Sequence, residues 1–267
     1  AESYARITNN LGVACTTCGP AATNTLTAVA CSWIESTPLL VITGQVKRAD
    51  LAQDSMLRQL GVQEVRIVEM AKPITKYCKQ ILDPTTCLLY TSPSPRDRTR
   101  PGPVLLDIPV DVQACRVEEE TLKGFTIPSY ELKLQESQLE EIVSLLKSAK
   151  RPVIYAGAGV GMSGAKDEFR VLIEKLNIPV LVHWNGMDVL ENDHPLYMGR
   201  PGAVGQRAAN FVLQNSDLLI TIGTRLYLLQ TGFNFAGYAK NAKHIMVDID
   251  KAELDKPTLH PYMKVQC

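Results

Sequence analysis

Aromatic residues make up only 6% of the 267-residue chain, four residues are histidine, and neither sign of charge prevails, with 28 Lys and Arg against 28 Asp and Glu. Zero net charge gives no electrostatic case for nucleic acid or an anionic membrane as the main partner. No apolar run approaches the roughly 20 residues that span a bilayer, and residues 1–15 lack the layout of a signal peptide. No Ser-His-Asp order, H-x-x-x-H pair or paired carboxylates stand out, so no metal ligand is assigned. The seven cysteines are odd in number and irregularly spaced, which suits reduced thiols in the cytoplasm rather than a disulfide framework. Cys15 and Cys18 form a C-x-x-C without a second Cys or His pair at a zinc spacing. They read as small buried side chains at a strand end.

What is present is core. At 45% hydrophobic and 21% charged, the chain can fill one large domain or two ordinary ones. "GVACTTCGP" reads as a short strand and a Gly-Pro turn, and "ATNTLTAVACSWIES" as a helix with Thr23 or Asn24 near its start. "TPLLVITGQV" and "PVLLDIPVDV" are apolar runs typical of parallel strands buried on both faces. Between them "RQLGVQEVRIVEMAKPITKYCKQIL" is partly helical and interrupted at Pro73. Residues 113–135 are polar and aperiodic, a linker between domains spanning 1–112 and 136–267. The second domain opens with an amphipathic helix, with Leu139, Ile142, Val143, Leu145 and Leu146 on one face. Strand, Gly-rich turn and helix follow, then three more strands in "IPVLVHWNG", "SDLLITIGTRL" and "HIMVDID". The alternation predicts two α/β domains, each a doubly wound, mainly parallel sheet.

In such sheets ligands gather at the carboxyl ends of strands. "GAGVG", with Gly157 and Gly159, stands between strand and helix, where glycines let backbone N–H groups approach a diphosphate. It lacks the third glycine of G-x-G-x-x-G, because Met162 takes that place, and a ligand-free tight turn is an equal reading. Asp248 and Asp250 could accept from a ribose hydroxyl or cap the following helix. Gly202 in "GRPGAVG" and Gly223, Thr224 and Arg225 in "GTRL" add glycines and arginine at comparable ends. His183 and Trp184 could touch a ligand, although a satisfied strand-end histidine is the plainer reading. In the first domain Gly19 and Pro20 fix a turn, while Thr23 and Asn24 offer polar groups at a helix start. Spacing alone stops at two α/β domains with a nucleotide-type ligand.

The run "AESYARITNNLGVACTTCGPAATNTLTAVACSWIESTPLLVITGQV" resembles the pyrimidine-binding domain of acetolactate synthase-like thiamine diphosphate enzymes. "QEVRIVEMAKPITKY" and "RPGPVLLDIPVDVQ" continue the resemblance. "PVIYAGAGV", "GRPGAVG", "SDLLITIGTRL" and "VDIDKAELDK" resemble the family's central domain. The likeness implies a truncated thiamine diphosphate-enzyme architecture. It implies Gly19, Pro20, Thr23, Asn24 and Gln45 near thiamine diphosphate. FAD is an open implication, with Arg100, Gly157, Gly159, Gly202, Gly223, Thr224, Arg225, Asp248 and Asp250 near it. Cys18 and Ala21 replace a serine and a glycine of the family turn. Trp184 and Asn185 stand where smaller or apolar residues surround FAD, and other members bind ADP or leave this domain empty.

The resemblance also implies that the catalytic glutamate lies upstream of Ala1, Glu2 matching a later position, and that the domain holding Mg²⁺ follows Cys267. No catalytic residue is therefore assigned within the chain. The expected activity of the intact enzyme is decarboxylation of a 2-oxo acid such as pyruvate and its joining to a second carbonyl. The intact enzyme would be a homodimer or homotetramer, and the chain as written would be inactive. Alternatives are a thiamine diphosphate-dependent 2-oxo acid decarboxylase and a non-catalytic nucleotide-binding module. One stretch departs from the family altogether. "CLLYTSPSPRD", Cys87–Asp97, carries Pro93 and Pro95 where the family has an amphipathic helix. A DNA string used as a transposase library adapter translates to these residues one for one, so 87–99 are expected to be an artefact of sequence assembly.

Overall fold

The computed structural model describes residues 1–52, 55–86, 100–118, 120, 122 and 132–267; the stretch 87–99 lies outside them. It divides into two compact units, Ala1–Tyr130 and Glu131–Cys267. Each is a parallel α/β sheet. Among the described residues no helix is long and apolar enough to cross a membrane.

In the first unit the strands are β1 (Gly12–Thr16), β2 (Leu39–Gln45), β3 (Tyr77–Gln80) and β4 (Pro103–Pro109), all parallel, in the order β1-β2-β4-β3. Helices α1 (Glu2–Thr8), α2 (Pro20–Thr23), α3 (Leu26–Glu35), α4 (Ile67–Ala71) and α5 (Val110–Gln113) accompany them. Side chains alternate across a strand, so Leu39, Val41 and Leu105 face one way. They pack with Ala22, Val29, Ile67 and Ala71 from α2, α3 and α4. Val104 and Leu106 face the other way, with Ile81 and Val112. Toward β1 this second face opens: Val13, in register with Leu40, is 50% exposed.

Two expectations change here. The helix read through residues 22–36 is broken between Thr23 and Leu26. The hydroxyls of Thr23 and Thr25 bond back to the carbonyls of Pro20 (3.1 Å) and Ala22 (2.7 Å), competing with the helical ladder. Strand β3 was not anticipated, since its four residues form a short edge strand with a lysine in the middle.

The second unit orders its strands β6-β5-β7-β8-β9, all parallel. They are β5 (Pro152–Ala156), β6 (Val180–Val182), β7 (Leu218–Ile222), β8 (Lys243–Asp248) and β9 (Met263–Gln266). The helices are α6 (Glu136–Ser148), α7 (Ala158–Met162), α8 (Lys166–Leu176), α9 (Arg207–Gln214), α10 (Leu228–Thr231) and α11 (Lys251–Leu254). On one face Ile154, Val180, Val182 and Ile245 pack with Phe169 and Ile173 of α8. On the other, Val153, Tyr155, Leu181 and Leu219 pack with Ala209 and Leu213 of α9. Helix α6 corrects the sequence reading in part. Ile142, Leu145, Leu146 and Ala149 lie against the core, whereas Leu139 and Val143 are 48% and 39% exposed. Val143 sits one residue, about 100° of helix, beyond Ile142, and Leu139 lies in the first turn, ahead of the packed stripe.

Candidate functional site

Because both sheets are parallel, every turn that follows a strand lies along the same edge of its sheet. In the first unit that edge carries the end of β1, where Gly19 adopts φ +66° and introduces α2, with Pro20 at its start. A Cβ on Gly19 would lie 2.4 Å from the carbonyl oxygen of Gln63, so conformation and space both demand glycine. Thr23 sits on this turn and Asn24 is exposed after it. Just before the turn, the Thr16 hydroxyl is buried without a hydrogen-bond partner.

At the end of the neighbouring strand Gln45 is 4% exposed. Its amide donates to Asp107 Oδ2 (3.1 Å) and the Val65 carbonyl (3.1 Å), while Oε1 accepts from Val46 N–H (3.0 Å). Gln45, expected beside a cofactor, thus spends both amide hydrogens inside the protein. Asp107 is the centre of this network. It also accepts from Thr43 Oγ1 (2.7 Å) and Gln80 Nε2 (2.8 Å). Burial holds its carboxyl above the ordinary range despite these donors. Arg100 belongs to this unit as well, where its Nε donates to Ser36 Oγ at 2.7 Å.

The second unit reverses its strand order beside β5, since β6 is added on one side and β7 on the other. Ligands of open α/β sheets favour such a switch point. Gly157 follows β5, and Gly223, Thr224 and Arg225 follow β7, so the sequence-predicted residues meet here. They meet by touching. Gly157 N–H donates to the Ile222 carbonyl (2.8 Å) and Gly159 N–H to the Gly223 carbonyl (3.0 Å). A Cβ on Gly157 would stand 2.1 Å from Gly223 O. These N–H groups, expected to cradle a diphosphate, instead lock two turns together. The Thr224 hydroxyl beside them is buried and unpartnered.

The backbone beyond Thr224 is strained at Leu226, a bulky side chain at φ +49°. Lys256 holds it by donating to the carbonyls of Arg225 and Leu226. Gly202, at φ +134°, approaches the Leu229 carbonyl, and Asn210 clamps its N–H and C=O at 2.9 and 3.0 Å. At the end of β8, Asp248 accepts from Asp250 N–H (2.9 Å), and Asp250 caps α11 by accepting from Ala252 N–H (2.9 Å). Capping is therefore the observed use of Asp250. His183 is satisfied: Nδ1 accepts from Asn185 N–H at 3.0 Å and the ring meets Tyr227 edge-on. Burial pulls its pKa down to about 4, with Arg225 adding to the effect.

Comparison with known proteins decides the family. The profile "Thiamine pyrophosphate enzyme, N-terminal TPP binding domain" matches residues 1–70, and "Thiamine pyrophosphate enzyme, central domain" matches residues 139–265. The chain belongs to the thiamine pyrophosphate enzyme family. The acetolactate synthase large subunit of Lactococcus lactis is 38% identical over 260 residues, covering 96% of this chain and 44% of that protein. The probable acetolactate synthase large subunit of Methanococcus aeolicus is 38% identical over 269 residues, covering 96% and 43%. Acetolactate synthase isozyme 2 large subunit of Escherichia coli is 34% identical over 258 residues, covering 96% and 45%. The chain spans under half the length of these curated relatives.

Within this chain, the Gly19 turn, Gln45 and Gln63 fall in the first matched region, and the switch-point turns in the second. Arg100 lies between the two. The structure adds three groups that were not singled out from the sequence, namely Thr16, Glu64 and Asp107. Asp107 carried a signal, a lone carboxylate inside the apolar run "PVLLDIPV". Thr16 and Glu64 carried none, because Thr16 stands out only by the burial of its unpartnered hydroxyl and Glu64 only by its bonds to main-chain N–H groups.

Proposed function

We propose that the whole protein is an acetolactate synthase-like carboligase, decarboxylating a 2-oxo acid such as pyruvate and joining it to a second carbonyl compound. The observation that supports this most is the 38% identity to the Lactococcus lactis large subunit across both units. On this reading residues 1–112 form part of the pyrimidine-binding domain, 113–135 a linker and 136–267 the central domain. Thiamine diphosphate, when bound, supplies the electron sink for decarboxylation. The Gly19–Pro20 turn, with the unpartnered Thr16 hydroxyl and the exposed Asn24, fits the edge of such a ligand. Gln45 would act one layer below, fixing the floor through Asp107. The described residues contain no cluster of His, Cys, Asp or Glu suited to Mg²⁺, and no role here involves that ion.

In the second unit the reading is a nucleotide ligand, FAD or ADP, against Thr224 and Arg225. Gly157, Gly159, Gly202 and Gly223 give shape to its floor rather than donating to it, and Asp248 lies at the neighbouring strand end. Titrating FAD and ADP against the chain, followed by Trp184 fluorescence, should give saturable binding of one of them. Thr224→Val should weaken it, and the absence of binding by both would remove the nucleotide reading.

A chimera tests the catalytic proposal. Residues 1–86 and 100–267 would replace the matching parts of the Lactococcus lactis acetolactate synthase, which keeps its own counterpart of 87–99. Thiamine diphosphate-dependent acetolactate formation from pyruvate is expected, together with a homodimer or homotetramer by light scattering. A folded but inactive chimera would overturn the proposal. A decarboxylase would instead release aldehyde. Inserting "CLLYTSPSPRD" should abolish activity, and a long read of the source DNA should lack that stretch.

A further inference from the structure

The acid Glu64 is 9% exposed, unusually buried for a glutamate, whose ordinary place is in water. Its carboxylate is instead saturated by backbone. Oε1 accepts from Ala52 N–H at 2.7 Å, and Oε2 accepts from Leu60 N–H at 2.8 Å and Gly61 N–H at 3.2 Å. One side chain thus joins Ala52 to Leu60 and Gly61, with seven residues of chain between Ala52 and Leu60. Burial alone would raise its pKa, but the three backbone donors and the field of Arg66 hold it below the ordinary carboxylate value.

The neighbours of Glu64 show what the tie supports. Gln63 stands at φ +57°, a left-handed conformation that costs a non-glycine residue about 1 kcal/mol or more. Its carbonyl and Cβ crowd the space above Gly19, and Cys18 Sγ lies 3.7 Å from the Val62 carbonyl. Val62 is 80% exposed. On the other side of Glu64, the Val65 carbonyl receives Gln45 Nε2, which in turn holds Asp107. A continuous polar path therefore runs from the end of β4, through the end of β2, to the base of the Val62–Gln63 turn.

We propose that Glu64 is a positioning residue, whose buried carboxylate ties Ala52 to Leu60 and Gly61 and so holds the strained Val62–Gln63 turn against Gly19. This deepens the thiamine diphosphate reading, on which its functional consequence rests: the staple sets one wall of the pocket that begins at the Gly19 turn.

Glu64→Gln is the discriminating variant. A carboxamide has one acceptor oxygen, so its NH₂ group must face either Ala52 N–H or the Leu60 and Gly61 pair, donor against donor. Hydrogen exchange in the 267-residue chain should quicken about tenfold or more for Ala52, Leu60 and Gly61, leaving β2 and β4 nearly unchanged. Unchanged exchange in the loop, or equal acceleration throughout the unit, would overturn the staple. In the chimera the same substitution should raise half-saturation by thiamine diphosphate about tenfold and leave the pyruvate KM within about twofold. A variant with loosened exchange and unaltered half-saturation would overturn the positioning role. An inactive parent chimera would instead overturn the thiamine reading, and the exchange result would still decide the staple.

Discussion

In the second unit β6 buries all of its residues and β5 all but Pro152, whereas β1 in the first unit buries only Gly12. Val13 and Leu181 make the contrast concrete. Both are apolar residues on strands at the rim of a parallel sheet, yet Val13 is 50% exposed and Leu181 fully buried. Helix α9 and the Tyr238–Ala239 region cover Leu181, and no described element covers Val13 to the same degree. At about 25 cal/mol per Å², the face left open toward β1 is stabilisation that the first unit lacks. Parallel sheets are ordinarily covered on both faces. The second unit obeys that rule with its own residues; among the described residues of the first, the α2–α4 side is covered, while the other side is covered over β4 and open at Val13.

Stability of the two units should differ more than any other measurable property. Each contains one tryptophan, Trp33 or Trp184, so Trp33→Phe and Trp184→Phe make single-reporter chains. The Trp33 signal is expected to change at the lower urea concentration, by a difference equivalent to several kcal/mol, a large part of the ~5–15 kcal/mol of a domain. Coincident transitions would break the comparison. Next in size is a pair of glycines. Gly157→Ala forces a Cβ to 2.1 Å from a backbone oxygen, while the Gly44 counterpart would find nothing nearer than 3.7 Å. The first should cost about 3 kcal/mol or more and the second under about 1 kcal/mol by urea unfolding.

The two buried histidines of the second unit and Asp107 of the first should also answer acid in opposite senses. His183 and His244 are buried and neutral, each drawn down to about 4, chiefly by desolvation. Their contribution is present above the unfolded value of 6.5 and is lost as pH falls toward 4, because the unfolded chain takes up the protons first. The Trp184 transition should therefore weaken by about 1–3 kcal/mol per histidine between those limits. Asp107 is raised, so its contribution is present below the ordinary carboxylate value and lost as pH rises through its folded value. Relative to Asp107→Asn, the wild-type first unit should lose stability as pH rises, by at most about 1.4 kcal/mol per pH unit. A flat difference would count against the buried carboxylate. Smallest of all, Asp250→Ala should cost the second unit about 1 kcal/mol through its lost helix cap, read from the same urea midpoints.

The sequence made the central strands legible because apolar runs such as "LLVIT", "VLLDIP" and "DLLITI" leave few other fates. Edge strands β3 and β9 were not read out, each being four residues long with a lysine inside. Among the site residues, the demand for glycine at Gly19 was visible but its cause was not. That cause is the Gln63 backbone, 44 residues away. "GAGVG" shows the same limit from the other side. Glycine permits close backbone approach, and sequence cannot say whether a ligand or another turn will take the space. At Gly157 and Gly159 it is Gly223. Glu64 was invisible for a related reason, since all three of its partners are main-chain N–H groups, which every residue but proline possesses.

The strand orders also differ in how they can be assembled on the ribosome. From β5 onward the second sheet grows outward, because β6, β7, β8 and β9 each join an exposed rim of what precedes them. In the first sheet β4 must enter between β2 and β3, both synthesised earlier. Until residue 109 has emerged, β2 has no partner on that side and β3 none at all. The nascent first unit must therefore wait, unpaired at its centre, for its last strand, whereas the second can close in step with synthesis.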